Sequence, residues 1–185
     1  MNNHDAMLRI QTFGCFSMSV DGSPVATYWP DEMEKELFCS LLSPLDLTFT
    51  WDRLCRSLWG EAATPASMRK LEETVIRPLK GFLINEIGFN PLISGVEGLK
   101  IDSKIVYVDA LEFYSSVLEA LRLLSLTDNS VALEKFNKAS SLYAGRYLPG
   151  ISGSIIANTR NELESLYRTA LRNAMPLIRN SSCSV

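Results

Sequence analysis

The chain has 185 residues, 46% of them hydrophobic and 21% charged, with a net charge of −3. This is globular composition, sufficient for one sizeable core or two small ones, and it excludes disorder as the main state. No apolar run approaches the ~18 residues of a membrane span, and Met1 to Arg9 lack a signal-peptide pattern, so a cytoplasmic protein with no membrane partner is expected.

Leu8 to Phe13 and Phe16 to Val20 alternate apolar and polar residues. Asp21-Gly22 suits the positive dihedrals of a tight turn, so the chain should open as a small antiparallel sheet completed by Pro24 to Ala26. A helix is expected over Asp31 to Leu42, where Met33, Leu37, Phe38, Leu41 and Leu42 recur at helical spacing. The acids Asp31, Glu32, Glu34 and Glu36 suit the positive end of its dipole, and Ser43-Pro44 ends it. Thr50 is placed to cap a second helix, Trp51 to Trp59, which buries Leu54, Cys55 and Leu58 and stops before Gly60.

Thr64-Pro65 opens a third helix, with an apolar stripe of Met68, Leu71, Val75, Leu79 and Phe82. Pro78 interrupts it. Inside a helix proline removes one backbone bond and costs on the order of 3 kcal/mol, so a kink or an early end is expected there. After Asn90-Pro91, Leu92 to Ser94 and Leu99 to Ile101 read as a hairpin joined by Gly95-Val96-Glu97-Gly98, with Ile105 to Val108 as a third strand.

From Asp109 the pattern is helical. Asp109 and Glu112 have capping-box spacing. Leu111, Val117, Leu118, Leu121 and Leu124 line the first helix, and Thr127-Asp128-Asn129 breaks it. A second helix covers about Ser130 to Tyr143 and ends at Gly145. The third starts near Ile155, carries Ile156, Leu163, Leu166, Tyr167, Ala170, Leu171 and Ala174, and should kink or end at Pro176. The expected layout is an α+β N-terminal domain over residues 8–106, then an all-α helical-hairpin domain over 107–179 and a disordered tail over 180–185.

Catalytic chemistry finds little footing. Cys15, Cys39, Cys55 and Cys183 form no CxxC pair, and three of them are expected as buried small apolar side chains. His4, the sole imidazole, lies near the N-terminus, which disfavours a Ser-His hydrolase and a metal site. Gly-Val-Glu-Gly lacks the Gly-Lys-Ser/Thr of a phosphate loop. Tyr107, Phe113, Tyr114, Phe136, Tyr143 and Tyr147 read as packing, and the acids at 31–36 as a solvated helix start. The expectation is a non-enzyme with no cofactor and no metal.

Several strings, in order, resemble a known family. Leu8-Arg9-Ile10-Gln11-Thr12-Phe13-Gly14 with Val20-Asp21-Gly22 is similar to the opening hairpin of bacterial transcriptional activators of the antibiotic-regulatory type. Lys35 to Leu42, Asp52-Arg53-Leu54 with Leu58-Trp59-Gly60, Ile76-Arg77-Pro78-Leu79-Lys80 and Gly98-Leu99-Lys100-Ile101-Asp102 resemble its three helices and wing. Val108-Asp109-Ala110-Leu111-Glu112-Phe113, Ala139 to Gly145 with Tyr147-Leu148-Pro149-Gly150, and Arg160, Leu163, Glu164, Tyr167 and Leu171 resemble its helical activator domain. The resemblance covers about Leu8 to Ile178. It implies an α+β N-terminal winged helix of the response-regulator type over residues 8–106, followed by an all-α helical-hairpin, tetratricopeptide-like domain over 107–179. The third helix of the head would enter the DNA major groove while the wing contacts phosphates or the minor groove. The tail would then bind protein: a second copy, polymerase or a sensory domain.

With the stripe turned inward, Arg69, Lys70, Thr74, Arg77 and Lys80 are expected to face out, and Lys100 and Lys104 to supply wing contacts. Arginine reads guanine bidentately, and lysine or threonine holds phosphates. Against this, residues 1–105 hold 10 Lys+Arg and 14 Asp+Glu, a balance of −4, while the remainder has 8 against 7, or +1. Phosphate binding favours a basic surface. Glu72, Glu73, Pro78 and Gly81 also sit within the helix that the resemblance assigns to DNA reading. The alternative is a degenerate winged helix acting as a protein-interaction or regulatory module.

Overall fold

A computed structural model describes residues 8–25, 28–45 and 48–182. Strands β1 (Leu8–Gln11) and β2 (Ser17–Val20) pair antiparallel with Leu8 opposite Val20, and β3 (Ser23–Val25) folds back on β2. Asp21 and Gly22 have φ of 47° and 81°, as a tight Asp-Gly turn requires. Ala26, expected in the third strand, lies outside the described residues.

Helix α1 (Glu32–Leu41) starts where the Asp31 carboxylate accepts the Met33 N–H at 2.6 Å. Strand β4 (Phe49–Thr50) leads directly into α2 (Trp51–Trp59), where Thr50 Oγ1 accepts the Arg53 N–H, and Gly60 closes the helix at φ 73°. Thr64 and Ser67 form a capping box at the head of α3 (Pro65–Leu71). The chain continues through a π turn (Glu72–Ile76) into α4 (Arg77–Ile87), so Pro78 does not end the helix.

Strands β5 (Leu92–Ser94) and β6 (Gly98–Ile101) form the expected hairpin, and β4 joins it in the order β4-β6-β5. The next strand, β7 (Val106–Val108), does not extend this hairpin. It pairs parallel with β1, Ile10 opposite Val108, giving a sheet ordered β3-β2-β1-β7. The turn at Asp102 redirects it: Asp102 accepts the Lys104 N–H on its carboxylate and the Ile105 N–H on its carbonyl, and Leu8 N–H then donates to the Ile105 carbonyl at 3.0 Å.

The tail is all helical. Helices α5 (Asp109–Ser125) and α6 (Asn129–Leu142) make a hairpin, and α7 (Ser154–Ser182) packs across it. Helix α7 passes through Pro176 and reaches Ser182, into the stretch expected to be disordered. Residues 183–185, Cys183 among them, are outside the described set. The fold is therefore a winged-helix head followed by a helical tail.

One core runs through both parts, from Leu8 and Phe38 to Phe113, Leu163 and Ala174. Asp109 is buried where the two parts meet. Its buried carboxylate accepts the Thr12 N–H at 2.8 Å, the Thr12 hydroxyl at 2.5 Å, the Phe13 N–H at 3.2 Å and the Ala110 N–H at 2.8 Å. The spacing with Glu112 suggested a local capping box; instead the side chain ties the end of β1 to the start of α5, and Glu112 pairs with Lys138. Phe13 then enters a ring cluster with Phe113, Tyr143 and Tyr147, and Tyr143 stacks on Tyr167 at 4.0 Å. Backbone bonds Leu148 N–H to Thr12 carbonyl and Gly14 N–H to Arg146 carbonyl close the junction. Side chains are excluded there: a Cβ on Gly14 would lie 2.9 Å from the Ala144 carbonyl oxygen.

Removing the carboxylate leaves several buried donors without partners, each costing about 1–3 kcal/mol. Asp109→Ala should lower stability by about 3 kcal/mol or more, read from the urea midpoint. Thr12→Val, which keeps the backbone bonds, should cost about 1 kcal/mol. Equal, small losses in both would contradict the assigned role.

Candidate nucleic-acid interface

The α3–π–α4 segment presents its buried side at Ser67, Leu71, Val75, Leu79, Leu83 and Ile87, a strict period of four. An α-helix turns every 3.6 residues, so such a stripe advances by about 40° per turn and would leave the core. The π turn corrects this. Arg77 N–H bonds the Glu72 carbonyl, a five-residue step that takes up surplus length and returns the later positions to the core. Pro78 fits the same device, since a proline ring clashes with the carbonyl four residues back, and that residue, Thr74, lies within the widened turn. Met68 and Phe82, expected in the buried stripe, are only half-buried, whereas Ile76, Leu83 and Ile87 are buried.

On the opposite side Arg69, Lys70, Thr74 and Arg77 are exposed. Lys70 Nζ lies 4.7 Å from the Trp59 ring centroid, and Thr74 Oγ1 donates to the Lys70 carbonyl at 2.8 Å. Arg69 and Arg77 make no hydrogen bond or ion pair among the described residues. Lys80 differs: it is half-buried, with Nζ 2.7 Å from Ser94 Oγ and 3.4 Å from Glu72 Oε1.

The β5–β6 wing touches this helix where Lys80 meets Ser94, and it is fixed at its turn. Trp51 Nε1 donates to the carbonyls of Gly95 (3.2 Å) and Val96 (3.1 Å). Gly98 passes so close to β4 that a Cβ there would lie 1.9 Å from the Phe49 carbonyl oxygen. Lys100 is exposed on β6. Lys104 is exposed too, but it lies in the turn after β6, at the root of the hairpin and not on its blade. Sequence reasoning had given Trp51 and Ser94 no part in this surface, because neither carries charge. The Gly95–Gly98 turn was the available signal.

The acidity of the head is sorted in space. Glu32 and Glu36 line a cleft of about 460 Å³ with Ser57, Leu58 and Gly150–Ser152, against the loop that enters α7. Burial there raises the Glu36 carboxyl above its ordinary pKa. Asp52 is held by Arg56 at 2.7 Å, and Glu72 by Lys80. Glu73 remains exposed among the cations. Cys15 is exposed instead of buried, because it follows Gly14 in the turn between β1 and β2, while Cys39 and Cys55 are buried. Among the described residues no three His, Cys, Asp or Glu side chains gather as a metal site, and no helix is long and apolar enough to cross a membrane.

No family model matches the chain, and no curated protein matches it by sequence. Among solved structures, Mycobacterium tuberculosis EmbR in complex with low affinity phosphopeptide shares its fold, with a TM-score of 0.57 at 15% identity. The match covers 92% of this chain and 43% of that one, so the chain spans under half the length of that neighbour.

Gly81, within α4, is exposed, and a Cβ built on it meets nothing within 4 Å. Helical alanine is favoured over glycine by about 0.8–1 kcal/mol. Gly81→Ala should stabilise the protein by about that amount in urea unfolding. A loss of stability would mean that the helix is not regular at this point.

Proposed function

We propose that the chain is a transcriptional regulator whose winged-helix head, residues 8–106, binds duplex DNA and whose helical tail, residues 107–179, binds protein. The observation that carries this reading is the pair of exposed, unpartnered guanidiniums, Arg69 and Arg77, on one long helix beside a tethered wing. In this reading the two arginines meet base edges in the major groove, where a bidentate contact to guanine discriminates by about 1–3 kcal/mol. Lys70 and Thr74 hold the flanking phosphates, Lys100 takes a phosphate from the wing, and Lys104 approaches the backbone from the hairpin root. The fold is the one that the resemblance to the antibiotic-regulatory activators implies, which supports the same assignment. The protein partner of the tail is a second copy, polymerase or a sensory domain.

A second reading is favoured by the −4 balance of residues 1–105 and by exposed Glu73. There the head is a protein-interaction module without DNA. Equilibrium binding to a pool of random duplexes across salt concentrations separates the two. The regulator reading predicts affinity that falls steeply with salt and selection of a preferred sequence. Arg69→Ala and Arg77→Ala should each cost about 1–3 kcal/mol of binding and relax that preference. Parent-like binding by the double variant would contradict the assigned surface, and no binding by the parent at low salt would contradict the regulator reading and favour the second.

A further inference from the structure

Lys80 belongs by position to the row of cations on the reading helix, yet its geometry differs from theirs. Only 22% of its side chain is exposed, and its ammonium is held between Ser94 Oγ at 2.7 Å and Glu72 Oε1 at 3.4 Å. Side chains on a helix lean toward its N-terminus, so Lys80 reaches back across the π turn to Glu72. In an unbroken α-helix, residues eight apart are separated by about 12 Å along the axis and about 80° around it. The widened turn reduces the angular offset and lets the pair meet.

Ser94 ends β5, where the chain enters the wing turn. The wing is thus gripped from both sides: Trp51 of α2 holds the Gly95 and Val96 carbonyls, and Lys80 of α4 holds Ser94. We infer that Lys80 is a positioning residue that fixes the wing against the reading helix, and that it is not a phosphate ligand. Its charge is directed at Glu72, and it donates to Ser94 Oγ on the wing. The consequence is a set spacing between Lys100 on the wing and Arg69 and Arg77 on the helix. That consequence rests on the DNA-binding reading; the clamp itself does not.

Hydrogen exchange in the free, full chain tests the clamp without DNA. Lys80→Met and Ser94→Ala should each speed amide exchange across residues 92–101 by roughly tenfold, as expected for loss of one charge-assisted hydrogen bond. Unchanged wing exchange in both variants overturns the inference. With duplex DNA, both variants should weaken binding at an unchanged salt slope, and the double variant should add nothing further. A salt slope lowered by about one in Lys80→Met, with Ser94→Ala neutral, would make Lys80 a phosphate ligand and overturn the inference as well. Should the parent fail to bind any duplex, exchange alone still decides whether the clamp exists.

Discussion

A buried carboxylate is stable only if hydrogen bonds or charges replace its lost water, and Asp109 meets that condition by binding the chain in two places. Its oxygens take the N–H groups of Thr12 and Phe13 at the end of β1 and of Ala110 at the start of α5. The first strand of the head therefore ends, and the first helix of the tail begins, at one fixed point. Phe13, held in place, becomes the inner member of the ring cluster with Phe113, Tyr143 and Tyr147. Glycines at 14 and 145 let the two backbones approach where side chains would clash. A second polar contact, Ser43 Oγ to Thr159 Oγ1 at 2.7 Å, joins the far end of α1 to α7.

The exposed surface follows from a packing constraint on the long helix. Its apolar residues recur every four positions, and only a widened turn keeps them under the core. The same turn accommodates Pro78 and brings Glu72 within reach of Lys80. Charges are then sorted by position. Arg69 and Arg77 stand open to solvent, Lys80 is spent internally, and much of the head's acidity lies elsewhere, as with Glu32 and Glu36 at the cleft beside α7. A net balance over 105 residues says little about a surface built from so few of them.

Much of this was legible in the residues. Asp21-Gly22, Thr50 and Thr64-Pro65 each marked the turn or cap that the chain forms, because these signals act within a few residues. Features that depend on distant partners were not legible. Strand β4 is two residues long and exists through its pairing with β6. The direction of β7 is set by β1, nearly a hundred positions earlier in the chain. Asp109 looked like a local cap, and its main partners are at residues 12 and 13. At the candidate site, residue type pointed correctly to exposed Arg69, Lys70, Thr74 and Arg77. It could not show that Lys80 turns toward Ser94, or that Lys104 lies at the hairpin root.

Head and tail share one core and therefore fold as one unit. All the tryptophans, Trp29, Trp51 and Trp59, lie in the head, whereas far-ultraviolet dichroism is weighted toward the long helices of the tail. Urea unfolding followed by both signals on one sample is the direct test. A shared core predicts coincident transitions with one midpoint. Separated midpoints, with the helical signal persisting after the tryptophans are exposed, would contradict it and leave the wing and the α3–α4 helix without a fixed relation to the tail.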